Sequence, residues 1–229
     1  MTPELEKIGG LECIHKKGDG KTGAIIMLHG YGADAYDLYP LSDYFKVKDG
    51  FDWYFPNGIL EIPIGPGFFG RAWFPISISE KIQNAVISGD WSKIADFVPP
   101  GLDEARDKIN TFIDLLPIPY NKIILSGFSQ GAMLSLEVFL HRKEDPHSLV
   151  LLSGTMLKEK EWRKLAKEKS GFQFFQSHGT EDVILPFKAA KRLEELLRDS
   201  GMSGEFVSFN GGHEIPESLI KRVNNYINR

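Results

Sequence analysis

The stretch that most constrains the fold is Ile123–Gly131, in which a short apolar run leads directly into Gly-x-Ser-x-Gly. This order predicts a strand, a sharp turn that carries Ser129, and a helix that begins at Gln130. Such a turn exposes the serine hydroxyl, and it needs Gly127 and Gly131 because strand and helix approach too closely there for side chains. Ser129 is therefore the candidate nucleophile, although the motif is weak by itself and depends on the rest of the chain.

The rest of the chain alternates short apolar runs with segments of helical spacing. Runs such as Ala24–Leu28 and Ser148–Leu152 are almost continuously apolar, which is typical of strands buried on both faces. Helical spacing follows, for instance over residues 102–116 and 187–197. The alternation predicts one domain over residues 1–229, of α/β class, with a mostly parallel central sheet and helices on both faces.

Two local predictions concern the first fifth of the chain. Weak alternation over residues 11–17 predicts an edge strand. Asp34 is a good N-cap, and the apolar spacing after it predicts one helix that runs to about Phe45.

Residues 59–101 interrupt this rhythm with an aromatic segment rich in glycine and proline. Gly65 to Gly70 formally matches G-x-G-x-x-G, but a dinucleotide fingerprint must follow a buried strand and open a helix, and no helical pattern follows here. We interpret the segment as a lid-like insertion that forms a pocket wall. The alternative is an ordinary surface hairpin with its own small core.

Composition excludes several classes of protein. Hydrophobic residues make up 42% of the chain and aromatic residues 12%, which is enough to bury a core. The net charge is −4 and no basic run is present, so we expect no nucleic-acid partner. The single cysteine, Cys13, cannot form an internal disulfide. Since the first residues lack an apolar signal region and no apolar run is long enough to span a bilayer, we expect a cytoplasmic protein without membrane insertion.

Polar clusters follow four of the predicted strands, at His29–Asp34, Ser129, His178–Asp182 and His213. The carboxyl ends of parallel strands meet at one edge of a sheet, so these clusters are expected to lie together. A serine hydroxyl needs a base to take its proton, and imidazole suits this role because it titrates near neutrality. The imidazole in turn needs a carboxylate to fix its tautomer. A serine, an acid and His213 occur in the chain order that α/β-hydrolases use.

Other histidines and acids compete for these roles. A solvated loop histidine is the alternative for His213. Between Asp182 and Glu181 spacing alone does not choose, whereas Glu214 adjoins the base and its side chain should diverge from the ring. The remaining histidines are interpreted as structural hydrogen-bonding residues (His29, His178) or as surface residues (His15, His141, His147).

No group of residues has metal-ligand spacing, so neither a metal nor a cofactor is expected. Attack by Ser129 creates an oxyanion that needs two donors. One should be the backbone N–H of Gln130, the residue after the nucleophile, and the other should come from the loop Gly30–Gly32.

With these residues assembled, the chain resembles the phospholipase/carboxylesterase family of α/β-hydrolases, which includes acyl-protein thioesterases. Five motifs carry the resemblance in family order, from residue 24 to the end of the chain: Leu28–Asp34, Arg71–Phe74, Gly127–Gly131, His178–Asp182 with Pro186, and Gly211–Pro216. One departure is visible, because Pro75 stands where many members have aspartate.

The resemblance assigns several roles. It implies that Asp182 rather than Glu181 is the acid of a Ser129–Asp182–His213 triad, and that the backbone N–H of Tyr31 is the second oxyanion donor. It also implies that Trp73 and Phe74 lie beside the acyl pocket. We add Phe69 and Leu185 to the expected pocket.

The function implied is that of a serine carboxylesterase, which cleaves a small or lipid-like acyl ester through an acyl-serine intermediate without a cofactor. An acyl-protein thioesterase or a lysophospholipase is the first alternative, since the same triad serves all three. A non-catalytic binding protein with this fold is an alternative of another class, against which the retention of all three triad residues argues. A homodimer is left open.

Overall fold

An eight-stranded sheet forms the centre of the structure, a computed structural model that describes residues 3–19, 22–47, 50–76 and 96–229. The strands, in chain order, are β1 (Leu5–Ile8), β2 (Leu11–Lys16), β3 (Ala24–Leu28), β4 (Asp52–Pro56), β5 (Leu60–Gly65), β6 (Phe68–Ala72), β7 (Ile123–Phe128), β8 (Ser148–Leu152), β9 (Gln173–Gly179) and β10 (Ser203–Phe209). The described helices are α1 (Ala35–Leu38), α2 (Leu41–Tyr44), α3 (Leu102–Leu115), α4 (Gln130–His141), α5 (Glu159–Ala166), α6 (Phe187–Asp199) and α7 (Glu217–Ile227).

The sheet has the order β1-β2-β4-β3-β7-β8-β9-β10. All its pairs from β4 to β10 are parallel, and only β1 with β2 and β2 with β4 are antiparallel. The predicted mostly parallel sheet is confirmed. The serine follows β7 near the middle of this sheet, whereas Asp182 and His213 follow the adjacent strands β9 and β10.

Helices cover both faces of the sheet, as predicted. Ile26 and Leu28 of β3 face a core that includes residues of α3, α4, α5 and α6, whereas Ile25 and Met27 face a second core with α1 and α7. This alternation explains why β3 reads as a continuous apolar run, since neighbouring side chains point to opposite faces and both faces are covered.

The edge prediction for β2 is wrong. β1 pairs with β2 through a turn at Gly9 and Gly10, both of which have positive φ, 59° and 86°. Two such residues in succession form the turn that joins antiparallel strands without splaying them. β2 therefore lies between β1 and β4, and β1 forms the edge.

The single helix predicted after Asp34 is divided in two. Asp34 does cap α1, because its side chain accepts the amides of Tyr36 and Asp37, and the Asp37 side chain accepts the Asp34 amide. The helix ends at Leu38 because Pro40 has no N–H to donate to the preceding turn. The chain then restarts as α2, for which Pro40 is the N-cap residue.

The described part of the 59–101 insertion is a two-stranded antiparallel hairpin of β5 and β6. Its tip exposes Ile64 by 55%, Phe68 by 70% and Phe69 by 62%, so these side chains do not form a small core of their own. Residues 77–95, which the lid-like interpretation also includes, lie outside the described residues.

None of the helices in the described ranges is long and apolar enough to cross a lipid bilayer.

Two of the three histidines predicted to lie on the surface are half-buried between carboxylates. His15 lies between Glu6 and Asp52, with Nε2 2.9 Å from an Asp52 carboxylate oxygen. His141 lies between Glu137 and Glu161. Sequence spacing does not show these partners, because distant segments supply most of them. His147 is exposed, as predicted.

A buried carboxylate, Glu137, connects three helices behind the sheet. Its side chain is inaccessible to solvent and accepts the indole N–H of Trp162 at 2.6 Å. The Lys158 ammonium lies 3.1 Å from Glu137 and the Arg106 guanidinium 3.2 Å. Glu137, His141 and Glu161 present possible ligand atoms within 4.8 Å of one another. Lys158 already supplies positive charge between the two carboxylates, 2.9 Å from Glu161, so this cluster is an ion-pair network that joins α3, α4 and α5.

Replacing Glu137 with glutamine should lower the free energy of unfolding by about 3 kcal/mol, because two largely buried cations would lose their shared counter-charge. Chemical denaturation measures this loss. Glu161→Gln is the matched control, since that carboxylate is 44% exposed and should contribute less than about 1 kcal/mol. Equal losses in the two variants would contradict the structural role given to Glu137.

Candidate active site

The turn at Ser129 has the backbone geometry predicted for a nucleophile elbow. Ser129 has φ 56° and ψ −118°, a region that non-glycine residues rarely occupy. Its amide donates to the Leu152 carbonyl at 2.8 Å, and its own carbonyl accepts the first hydrogen bonds of α4. A Cβ on Gly127 would lie 2.3 Å from the Gly131 backbone, and a Cβ on Gly131 would lie 2.0 Å from the Leu28 carbonyl oxygen. Both glycines are therefore required by the close approach of strand and helix.

Asp182 and His213 are brought together by the neighbouring strands β9 and β10. The loops after these strands are joined by hydrogen bonds from Thr180 N to Phe209 O and from Glu181 N to Gly211 O. His213 Nδ1 donates to Asp182 Oδ2 at 2.7 Å. The Asp182 carboxylate is inaccessible to solvent, whereas Glu181 is exposed. Of the two candidate acids, it is Asp182 that contacts His213.

The Asp182 carboxylate is held on both of its oxygens. Oδ1 accepts the backbone amides of Ile184 and Leu185 at 2.9 and 2.8 Å. Oδ2 lies 3.2 Å from His178 Nε2 in addition to its bond with His213. A carboxylate with several fixed donors keeps one orientation, which suits a group that must orient an imidazole.

His178 is a hydrogen-bonding residue behind this pair, as predicted. Its Nε2 lies 2.6 Å from the Leu185 carbonyl oxygen and 3.2 Å from the Asp182 carboxylate. Both neighbours are acceptors, so Nε2 must carry the proton and donate it. Burial lowers the pKa of His178, which favours the neutral ring.

His213 also lies beside the elbow. The ring of Phe128, the residue before the serine, packs against the His213 ring with 4.8 Å between centroids. Within the described ranges no hydrogen bond joins His213 to the Ser129 hydroxyl. Catalytic hydrogen bonds are often long before substrate binds and shorten in the complex.

The loop after β3 passes directly alongside the serine. A Cβ on Gly30 would lie 3.1 Å from Ser129 Cβ, so the following amide, that of Tyr31, is close to the elbow. Among the described residues no hydrogen bond uses the Tyr31 amide. Gln130 begins α4, where the first N–H groups have no partner within the helix and the helix dipole favours negative charge. The two predicted oxyanion donors therefore belong to segments that both adjoin Ser129.

The four residues expected to line the pocket have different environments. Trp73 is fully buried and Phe74 is 2% exposed, so both are part of the core, whereas Phe69 is at the exposed tip of the hairpin. Leu185 is half-buried against the first core. Trp73 and Phe74 contact the elbow through the Gln130 side chain. That contact was not predicted. A glutamine at the start of an apolar, buried helix does indicate that its side chain needs hydrogen-bond partners.

His29 is a buried histidine whose tautomer is fixed by its neighbours. The Gly58 amide donates to His29 Nε2 at 2.8 Å, so Nε2 is unprotonated. Nδ1 therefore carries the proton and donates to the Gly30 carbonyl at 2.7 Å. Burial lowers the pKa of His29 from 6.5 to about 4. His29 is thus a neutral structural hydrogen-bonding residue, as predicted from its position at a strand end.

The low pKa of His29 predicts a pH-dependent stability. Between pH 6.5 and about pH 4 the unfolded chain binds a proton on His29 that the folded chain does not, so stability falls as the pH falls through this window. Chemical denaturation measures the free energy of unfolding at each pH. Between about pH 7.5 and about pH 4.5 this free energy should fall by about 2.5 kcal/mol less in His29→Gln than in the wild type. An unchanged dependence in His29→Gln would contradict the assignment.

Comparison with known proteins identifies the family of this chain. The sequence model of the family described as phospholipase/carboxylesterase matches residues 10–229. An acyl-protein thioesterase 1 of Candida albicans is 27% identical, over 94% of this chain and 97% of the relative. Carboxylesterase SOBER1 of Arabidopsis thaliana is 24% identical, over 90% of this chain and 89% of the relative.

Solved structures share the fold. Esterase PE8 has a TM-score of 0.77 at 23% identity, with 95% of this chain and 97% of that chain covered. A crystal structure of Arabidopsis thaliana SOBER1 has a TM-score of 0.65 at 22% identity, with 90% and 97% covered. Since the family match spans nearly the whole chain and the sheet carries an elbow after β7, an aspartate after β9 and a histidine after β10, this protein belongs to the phospholipase/carboxylesterase family of α/β-hydrolases.

Proposed function

We propose that the protein is a serine carboxylesterase in which Ser129 is the nucleophile, His213 the general base and Asp182 the acid that orients it. Family membership supports ester hydrolysis. The observation that carries the residue assignment is the 2.7 Å hydrogen bond between His213 and buried Asp182, beside a serine in strained elbow geometry. Asp182 accepts a hydrogen bond from the Nδ1–H group of neutral His213, so Nε2 is the unprotonated nitrogen that can accept a proton.

The reaction then proceeds in two halves. As Ser129 Oγ bonds to the carbonyl carbon, His213 Nε2 takes the hydroxyl proton and the carbonyl π electrons move to the oxygen. The amides of Gln130 and Tyr31 donate to that oxyanion. Collapse of this tetrahedral intermediate breaks the bond to the leaving group, which receives the proton from His213. An acyl-serine remains. Water, deprotonated by His213, repeats the sequence to release the acid and restore Ser129, so no cofactor is needed.

The apolar surroundings of the site favour a lipid-like acyl group as one substrate class. Ile64, at the exposed hairpin tip, lies against Gly32. A Cβ on Gly32 would lie 3.4 Å from the Ile64 side chain. This places the tip beside the loop that carries Tyr31. On the side of Asp182, Val183 is 89% exposed and Ile184 62%. Exposed apolar side chains near a site are suited to binding an acyl chain.

An acyl-protein thioesterase or a lysophospholipase is the second candidate, favoured by this apolar surface and by the resemblance to acyl-protein thioesterase 1 of Candida albicans. The triad does not distinguish these substrates. Rates on oxygen esters and thioesters of matched acyl length, measured in parallel, decide between them.

We further propose that the protein acts in a reducing, cytoplasmic setting as one domain. The single cysteine, Cys13, is buried and free, which is typical of a protein that does not rely on disulfides.

Ser129→Ala should lower turnover of a short-chain aryl ester by at least about 10³-fold, because the acyl-serine cannot form. The same variant should lose covalent labelling by a fluorophosphonate probe. Ser208→Ala, which changes an exposed serine, is the control and should keep both. An unlabelled wild-type protein would favour the non-catalytic alternative.

Asp182→Asn should retain the fold and lower kcat by about 10⁴-fold, because the amide stabilises the wrong tautomer of His213. Glu181→Gln should leave kcat within about twofold, since Glu181 is exposed and Asp182 makes the contact with His213. Circular dichroism checks the fold, and steady-state kinetics give kcat. The reverse pattern would transfer the role of the acid to Glu181.

A further inference from the structure

A chain of buried hydrogen bonds joins the two proposed oxyanion donors through Gln130, Trp73 and His29. We propose that the Gln130 side chain and the Trp73 indole are positioning groups that fix the distance and direction between the Gln130 and Tyr31 amides. This inference rests on the proposed function, in which those two amides bind the oxyanion. It gives Trp73 a role in catalysis that is distinct from lining a pocket.

The first link is the two-point contact of the Gln130 side chain with the segment after β6. Its Oε1 accepts the Trp73 amide at 2.9 Å, and its Nε2 donates to the Phe74 carbonyl at 2.7 Å. Gln130 is 1% exposed, so water does not compete for these bonds. Two bonds to successive residues fix both the position and the rotation of that segment relative to the elbow.

The second link is the Trp73 indole, which is fully buried. Its Nε1–H donates to the His29 carbonyl at 2.9 Å. The Trp73 and His29 rings also pack together, with 5.1 Å between centroids. The segment held by Gln130 therefore holds the residue that opens the loop after β3.

The third link fixes the direction of the Tyr31 amide. His29 Nδ1 donates to the Gly30 carbonyl at 2.7 Å, and the Gly30 carbonyl and the Tyr31 N–H belong to one planar trans peptide unit. In such a unit the C=O and the N–H point in opposite directions. A bond that holds the carbonyl on the His29 side therefore aims the N–H the other way, and the adjacent Gly30 lies against Ser129.

This connection matters because oxyanion donors act only when both lie about 2.7–3.1 Å from the developing charge. One donor belongs to the elbow and the other to a loop about 100 residues away in the sequence. Nothing local to either segment sets their separation. The buried hydrogen bonds of Gln130, Trp73 and His29 set it before substrate arrives, which avoids reorganisation during the reaction.

The test is Trp73→Phe, which keeps an aromatic ring and removes the indole N–H. With a short-chain aryl ester, kcat should fall about 10- to 100-fold, less than the loss of a whole donor, while KM stays within about twofold. A trifluoromethyl ketone adds to the serine and forms a tetrahedral oxyanion, so its Ki should rise by a similar factor. Gln130→Met, which retains the backbone amide and loses both side-chain bonds, should give the same pattern.

The matched control is Trp162→Phe. Trp162 is also fully buried, and its indole donates to Glu137 at 2.6 Å, two turns further along α4 than Gln130. It should lose stability and keep the wild-type kcat and Ki. End-point labelling by a fluorophosphonate counts competent Ser129 in each variant, so kcat is expressed per labelled site.

Two results would overturn the proposal. One is a Trp73→Phe protein that labels fully and keeps kcat and Ki within about twofold of the wild type. The other is an equal loss of kcat in Trp162→Phe, which would mean that any buried indole bond has this effect. Failure of the proposed function is distinguishable from both, because in that case the wild-type protein itself would not be labelled.

Discussion

The close contact between helix α4 and the end of strand β3 is the constraint on which the site depends. A Cβ on Gly131 would lie 2.0 Å from the Leu28 carbonyl oxygen, so only glycine permits this approach. Because the first turn of α4 lies against the last residue of β3, the elbow and the loop His29–Tyr31 are neighbours. That adjacency brings the Gln130 amide and the Tyr31 amide near one serine, while the buried hydrogen bonds of Gln130, Trp73 and His29 connect the two segments more closely.

The strained conformation of Ser129 is maintained by what surrounds it. The Leu152 carbonyl accepts its amide, and α4 behind it is buried along almost its whole length. A strained residue persists only where its surroundings over-determine it, and the bond to Leu152 and the burial of α4 provide this for Ser129.

Much of the fold was predictable because local pattern and long-range packing agree. The run Ser148–Leu152 is apolar since both faces of its strand are covered, and α4 begins and ends where its apolar pattern does. The errors have local and distant causes. Pro40 carried enough information to divide the helix after Asp34, whereas the interior position of β2 depends on a strand that pairs with it from outside.

The candidate site shows the same division. Ser129, Gly127 and Gly131 were predictable from one motif. The two glycines are needed because strand and helix approach closely there, as the motif predicts. Gln130 was predictable only as a backbone donor. Its side chain bonds to Trp73, 57 residues earlier, and no spacing rule connects them. The half-buried position of His141 was hidden in the same way, because Glu161 comes from another helix.

The hairpin of β5 and β6 separates the part of the site that must stay fixed from the part that is free to vary. At its base, the Gly32 amide donates to the Arg71 carbonyl at 2.9 Å, and the Arg71 amide donates to the Ala33 carbonyl at 3.0 Å. A Cβ on Gly70 would lie 2.0 Å from the Gly32 carbonyl oxygen. The base is therefore fixed to the loop that carries Tyr31. Phe68 and Phe69, one or two residues away, are exposed, so their replacement should alter the surface offered to the proposed acyl chain without displacing the proposed oxyanion donor. On the proposed function, substrate preference is thus separable from the chemistry, because the residues proposed for each are adjacent in sequence but differ in what holds them.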